Sequence, residues 1–172
     1  MTGAEEGYIL KVRKGFTLVE VLIVIVIVGI LASAIMLSSS NATASAEASK
    51  IISDLRTLKA AALALYAEST DVVIAGFAPN SVGSLALLQV YLSNPDKFIA
   101  PDGPYEFFQT DVAGVGIKWW VVYDLTRSGM VKEVSDKLAS KADSVGLFYA
   151  FNGGTVFQPF RPGDMRAHMV VR

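Results

Sequence analysis

The feature that most constrains this chain is an apolar run of 22 residues, from Phe16 to Leu37. Only four residues within it are not hydrophobic: Thr17, Glu20, Gly29 and Ser33. As an α-helix the run is about 33 Å long at roughly 1.5 Å per residue, enough to cross a hydrocarbon core about 30 Å thick. A core helix of a soluble protein is the alternative, but core helices seldom need an unbroken apolar run of this length. The run therefore predicts a membrane-spanning helix.

Basic residues predict the orientation of that helix. Lys11, Arg13 and Lys14 directly precede the run, and the next basic residue is Lys50. Because basic residues stay on the cytoplasmic side of a membrane segment, we expect the N-terminus in the cytoplasm and most of the chain outside.

The leader differs from a common secretory signal, in which cleavage follows the apolar region. The small residues Ala32-Ser33-Ala34 lie inside the run, and the favoured cut precedes it, between Gly15 and Phe16. The stretch KGFTLVE, residues 14–20, resembles the processing site of the type IV pilin and pseudopilin superfamily. The resemblance implies that a membrane peptidase cuts after Gly15 and methylates the new N-terminal Phe16. The sequence differs from many members of the superfamily at Leu37, where those members carry a proline. The first proline of this chain is Pro79.

Glu20 needs a partner, because an unpaired charge in lipid is costly. Cleavage would place a positive amine on Phe16, one helical turn before Glu20 and on the same face. The carboxylate can pair with its own amine or with that of a neighbouring subunit, and the resemblance favours the neighbour. It implies that Glu20 docks an incoming subunit during filament assembly. A glutamate that extends to the membrane surface is the alternative.

The helix is expected to continue to Ser69, with its weakest points at Gly29 and residues 38–41. Apolar residues of its second half recur at helical spacing: Ile51, Ile52, Leu55, Leu58, Ala62, Leu65 and Tyr66. Charged residues lie off that stripe: Lys50, Asp54, Arg56, Lys59 and Glu68. This half is therefore predicted to be amphipathic and to pack one face on a globular domain.

The remainder predicts a small head. Strands are expected at 105–109, 117–125, 145–151 and 155–160, with an edge strand at 167–171, helices at 84–92 and within 129–143, and a loop at 72–83. The fold class is α+β, a long N-terminal helix packed against an antiparallel sheet of about four strands. The expected domains are a leader at 1–15, a membrane and assembly half-helix at 16–37, an amphipathic half-helix at 38–69, and a globular head at 70–172.

Little in the head points to catalysis or cofactor binding. The chain has no cysteine and one histidine, His168, which we expect in solvent. Four aspartates offer the oxygen ligands that Ca²⁺ prefers, but no close acidic spacing groups them, and we expect no metal: Asp96, Asp102, Asp111 and Asp124. Trp119 is expected in the core and Trp120 on the outer face of its strand, either as a candidate surface contact or partly buried under a loop. Three C-terminal arginines are the candidates for a local basic patch: Arg161, Arg166 and Arg172.

The sequence therefore predicts a structural protein rather than an enzyme. The leading hypothesis is a type IV pilus subunit that polymerises with itself and needs a prepilin peptidase and an assembly machinery in the inner membrane. It would lie in the cytoplasmic membrane as a precursor and on the cell surface as a filament. A pseudopilin of a type II secretion system or a minor pilin is the alternative, followed by a membrane-anchored binding protein or enzyme with an uncleaved anchor. With a net charge of −1, no nucleic-acid partner is evident.

Overall fold

The computed structural model of the chain describes residues 15–69, 82–83, 85–100, 102–112, 114–127, 131–150 and 157–172. Helix α1 is continuous from Leu18 to Glu68, over 51 residues. The prediction of one long helix is confirmed, because neither Gly29 nor the serine-rich stretch at residues 38–41 interrupts it. The chain divides into two compact units, Met1–Ser39 and Ser40–Arg172.

The described residues of the second unit include a six-stranded antiparallel sheet. Its strands are β1 Val82–Gly83, β2 Tyr105–Val112, β3 Gly116–Asp124, β4 Leu147–Ala150, β5 Phe157–Pro159 and β6 Arg166–Val170. Their order across the sheet is β1-β2-β3-β6-β4-β5. The α+β class is confirmed, and the sheet is larger than the four strands expected. Most of the loop predicted at 72–83 lies outside the described residues, but its last two residues form β1.

The last strand is central, so its prediction as an edge strand is wrong. Strand β6 pairs with β3 through Trp120 and Val170, and with β4 through Leu147 and Met169. Ala167, His168 and Met169 are buried in succession. A strand buried on both faces belongs in the interior of a sheet, and hydrophobic alternation alone does not show which strands flank it.

Short helices connect the strands. One helix was expected within 129–143, but the chain forms α2 at Val131–Ala139 and α3 at Ala142–Val145. Gly146 ends α3 in the left-handed conformation with φ of 69°, which a residue without a Cβ adopts at little cost. The predicted helix at 84–92 is a 3-10 helix, Leu85–Tyr91, and two shorter 3-10 turns lie at Pro95–Lys97 and Leu125–Arg127.

The main core of the second unit joins α1 to one face of the sheet. Five residues of the predicted stripe are buried: Ile51, Ile52, Leu55, Leu58 and Ala62. Leu65 and Tyr66 are partly buried, and three alanines outside the prediction extend the face: Ala44, Ala48 and Ala61. Opposite them lie Phe107, Trp119 and Val121, each fully buried. The ring of Tyr66 meets that of Trp119 edge to face, with centroids 5.5 Å apart. The amphipathic prediction for residues 38–69 thus corresponds to an observed packing face.

Asp54 departs from that prediction, because it lies in the interior with 5% exposure. Its carboxylate forms an ion pair with Lys97 and accepts a hydrogen bond from the Tyr105 hydroxyl. Burial, and then this hydrogen bond, raise the pKa of Tyr105 above its ordinary value, so the hydroxyl keeps its proton as the donor. A buried carboxylate is tolerated when it is paired and hydrogen-bonded, and both partners come from distant parts of the sequence.

Candidate functional site at the start of the long helix

The helix start is defined by a reciprocal pair of hydrogen bonds. Gly15, Phe16 and Thr17 have non-helical backbone, and α1 begins at Leu18. The Thr17 hydroxyl accepts a hydrogen bond from the backbone N–H of Glu20 at 3.2 Å. In return, the Glu20 carboxylate accepts one from the backbone N–H of Thr17 at 3.5 Å. This arrangement is a capping box, which satisfies two backbone donors that a helix start otherwise leaves without partners.

The capping role of Thr17 was missed at the sequence level. The signal was present, because threonine followed three residues later by glutamate, before an apolar run, is the signature of a capping box. For Glu20 the sequence predicted an amine partner or an extension to the membrane surface. In the uncleaved chain the nitrogen of Phe16 is a peptide amide, and the carboxylate bonds to the helix's own first turn instead.

Phe16 and Glu20 lie on one side of the helix start. Together with Val21 and Val24 they line one shallow groove, as their spacing predicted. The Phe16 side chain is 83% exposed, and Glu20 is also exposed. Among the described residues, nothing lies within 4 Å of the position that a Cβ on Gly15 would take.

The apolar run is not buried within the described chain. Its large hydrophobic residues between Phe16 and Met36 are 51–83% exposed. The core-helix interpretation is therefore wrong for the described residues. By length and composition α1 contains a segment able to cross a membrane. The Ser33 hydroxyl donates to the carbonyl oxygen of Gly29 at 2.9 Å, so this polar group is satisfied within the helix, as an apolar medium requires.

The basic residues expected to orient the helix, Lys11, Arg13 and Lys14, lie outside the described residues. Their role remains a prediction from the sequence.

Trp120 does not offer a surface contact. It is 3% exposed, so of the two alternatives for this residue the surface contact is wrong. Its ring packs edge to face against Phe148 and His168, with centroids 6.3 Å and 6.4 Å away. Strand alternation correctly separated Trp119 from Trp120 onto opposite faces, but it does not report what covers each face.

His168 is likewise buried, with 3% exposure, so its expected place in solvent is wrong. Neither ring nitrogen has a hydrogen-bond partner among the described residues. Burial, and then the charge of Arg166, lower the pKa of His168 to about 4. A neutral imidazole that packs against the rings of Phe108 and Trp120 is a packing element.

Among the described residues, the four aspartates do not form a metal site, and two of the three C-terminal arginines are engaged in other contacts. No group of three or more histidine, aspartate or glutamate side chains able to hold a metal occurs in the described ranges. Asp124 instead accepts hydrogen bonds from the backbone N–H and hydroxyl of Thr126. Of the three arginines, Arg166 forms an ion pair with Glu106 and Arg172 lies over the ring of Tyr66 at 4.2 Å. These contacts give both arginines a role inside the fold.

Comparison with known proteins concerns the same N-terminal region. The family described as the prokaryotic N-terminal methylation motif matches residues 10–36. Two curated proteins of Pseudomonas aeruginosa, each named "Fimbrial protein", are 36% identical over 64 residues, which is 37% of this chain and 42% of the relative. The match thus spans less than half the length of these relatives. No solved structure matches the chain. The methylation motif and the fimbrial relatives confirm the resemblance seen in residues 14–20.

Proposed function

We propose that this chain is a structural subunit of a type IV pilus. It carries the prokaryotic N-terminal methylation motif, which supports a place in the type IV pilin and pseudopilin superfamily. It is cleaved after Gly15, methylated at Phe16, and polymerised with copies of itself through α1. The name of the P. aeruginosa relatives, "Fimbrial protein", favours a pilus over a secretion filament.

The exposed apolar segment of α1 carries this proposal. Its large side chains are more than half exposed, and water is a poor environment for a surface of that size. A membrane covers such a segment before assembly, and the same segments of neighbouring subunits cover it in a filament. The partners that follow are a prepilin peptidase, an assembly machinery in the inner membrane, and further copies of the chain.

The precursor would lie in the cytoplasmic membrane with residues 1–15 inside and the second unit outside. The basic residues before the apolar run support this orientation: Lys11, Arg13 and Lys14. After assembly the second unit would form the surface of the filament outside the cell.

Glu20 is proposed to select the register of assembly. Apolar helices gain little by packing on each other rather than on lipid, so a polar contact between them decides their axial position. The amine created on Phe16 of an incoming subunit offers a positive partner for the exposed Glu20 carboxylate. When the carboxylate pairs with this amine, neither subunit keeps an unpaired charge in its apolar segment.

The test combines sheared native cells with three variants of Glu20. We expect released filaments composed mainly of this chain, each subunit beginning at a methylated Phe16 by mass spectrometry. Glu20→Ala and Glu20→Gln should insert normally and release no filaments, whereas Glu20→Asp, which keeps the charge, should retain some. Processed protein that stays in the membrane without filaments would identify a pseudopilin or a minor pilin. Normal filament yield from Glu20→Gln would refute the ion-pair role.

A further inference from the structure

The bond proposed to be cut lies just outside the helix. Gly15 and Phe16 have non-helical backbone and are exposed, and Thr17 occupies the capping position before Leu18. A capping residue needs non-helical dihedral angles, so its side-chain bond also decides where helical backbone begins. The two bonds between Thr17 and Glu20 thus hold the bond from Gly15 to Phe16 one residue outside the helix.

Access to this bond depends on that boundary. Hydrolysis adds water across it: the C–N bond breaks, the hydroxyl joins the carbonyl carbon of Gly15, and the nitrogen of Phe16 leaves as an amine. Within an α-helix the same carbonyl oxygen would accept a hydrogen bond from a later N–H, and the side chains of the turn would surround it. A non-helical segment leaves the carbonyl free to enter the site of an endopeptidase.

We propose that Thr17 is a positioning residue for cleavage, which keeps the bond between Gly15 and Phe16 out of the helix through its capping box with Glu20. This inference rests on the proposed function, since it concerns cleavage after Gly15. It also gives Glu20 two successive partners: the first turn of its own helix in the precursor, and an amine after cleavage.

Loss of the cap should extend the helix rather than shorten it. Without the Thr17 hydroxyl, the backbone N–H of Glu20 keeps only the short-range contact to the carbonyl oxygen of Thr17, at 3.1 Å. At the edge of an apolar medium, such donors are satisfied by carbonyl groups one turn earlier, because no water replaces them. Residues 15–17 would then take helical dihedral angles, and the carbonyl of Gly15 would become an acceptor within the helix.

The experiment measures the cleavage rate of the full-length precursor in its native membrane by pulse–chase. Thr17→Val keeps the shape of threonine but removes the hydroxyl, and we expect about fivefold slower cleavage, the ratio that corresponds to about 1 kcal/mol for one cap. Thr17→Ser and Thr17→Asn differ in shape but both cap helices, so both should be cleaved at nearly the original rate.

A second measurement separates positioning from direct recognition. Backbone chemical shifts of residues 15–17, in the precursor held in lipid bicelles, should turn helical in Thr17→Val and remain non-helical in Thr17→Ser. Equal cleavage of these two variants would overturn the proposal. Slower cleavage of Thr17→Val with unchanged shifts would also overturn it, because the peptidase would then read the hydroxyl itself. Absence of cleavage after Gly15 in the original chain would instead refute the proposed function.

Discussion

Acid should destabilise the second unit through His168. In the folded chain, burial and the neighbouring Arg166 charge hold the pKa of this imidazole at about 4, against an ordinary value of 6.5. The unfolded chain therefore binds a proton as the pH falls below 6.5, while the folded chain remains neutral until about pH 4. The stability attached to the neutral ring is present above pH 6.5 and is lost as the pH falls through this window.

The size of the loss follows from the same two values. Each unit of pKa difference corresponds to about 1.4 kcal/mol, so the free energy of unfolding should fall by about 2 kcal/mol between pH 7.5 and 5. The full loss below pH 4 is about 3.4 kcal/mol. Glu106 and Arg166 lie near His168 on the sheet and form an ion pair with each other.

The assay is urea unfolding of the full chain in mild detergent, followed by tryptophan fluorescence. The chain has two tryptophans, Trp119 and Trp120, and both are buried in the second unit. The control is His168→Leu, an apolar variant that cannot titrate. Carboxylates contribute equally to both proteins, so the difference in unfolding free energy between them isolates the imidazole. A difference that stays constant between pH 7.5 and 5 would refute the assignment of a buried, neutral His168.

Two further predictions concern the contacts of α1 with the head, measured by the same unfolding assay. Leu58→Ala removes a fully buried side chain and should lower the free energy of unfolding by about 2–5 kcal/mol. Its control, Leu63→Ala, changes a position that is 41% exposed and should lower it by less than about 1 kcal/mol. Similar losses from both variants would contradict the observed packing face. Asp54→Leu leaves Lys97 and Tyr105 without their acceptor and should cost about 1–3 kcal/mol, since Lys97 is partly exposed. A double-mutant cycle with Lys97→Met should show coupling of at least about 0.5 kcal/mol, and additive losses would exclude the ion pair.

Local rules explain why the long helix was predicted well. The apolar run and the amphipathic stripe are periodic patterns that act within a few turns of one helix. The predicted bounds of that helix, 16–69, differ from the observed Leu18–Glu68 by one or two residues at the ends. The capping box was equally local, and Thr17 was missed because Glu20 had already been assigned to an amine.

The head shows where such rules end. Five of the six described strands were located within a few residues, and β1 was predicted as part of a loop. The pattern of β6 does not reveal that it pairs with both β3 and β4. Asp54 follows the helical rule for a solvent-facing charge and is nevertheless buried, because Lys97 and Tyr105 meet it from 43 and 51 residues away. Trp120 shares its strand face with Lys118 and Asp124, as an outer face would, and His168 is a lone histidine near the C-terminus, yet both are covered.

The sequence by itself therefore determined the long helix, its segment able to cross a membrane, the amphipathic stripe and the candidate cleavage site. These features depend on periodicity, length and short motifs, each of which is contained in one continuous stretch of the chain. Only the tertiary structure decided the order of the strands, the partner of Asp54 and the burial of His168 and Trp120. Burial of a side chain depends on which distant segments cover it, and that information is contained in no local stretch of residues.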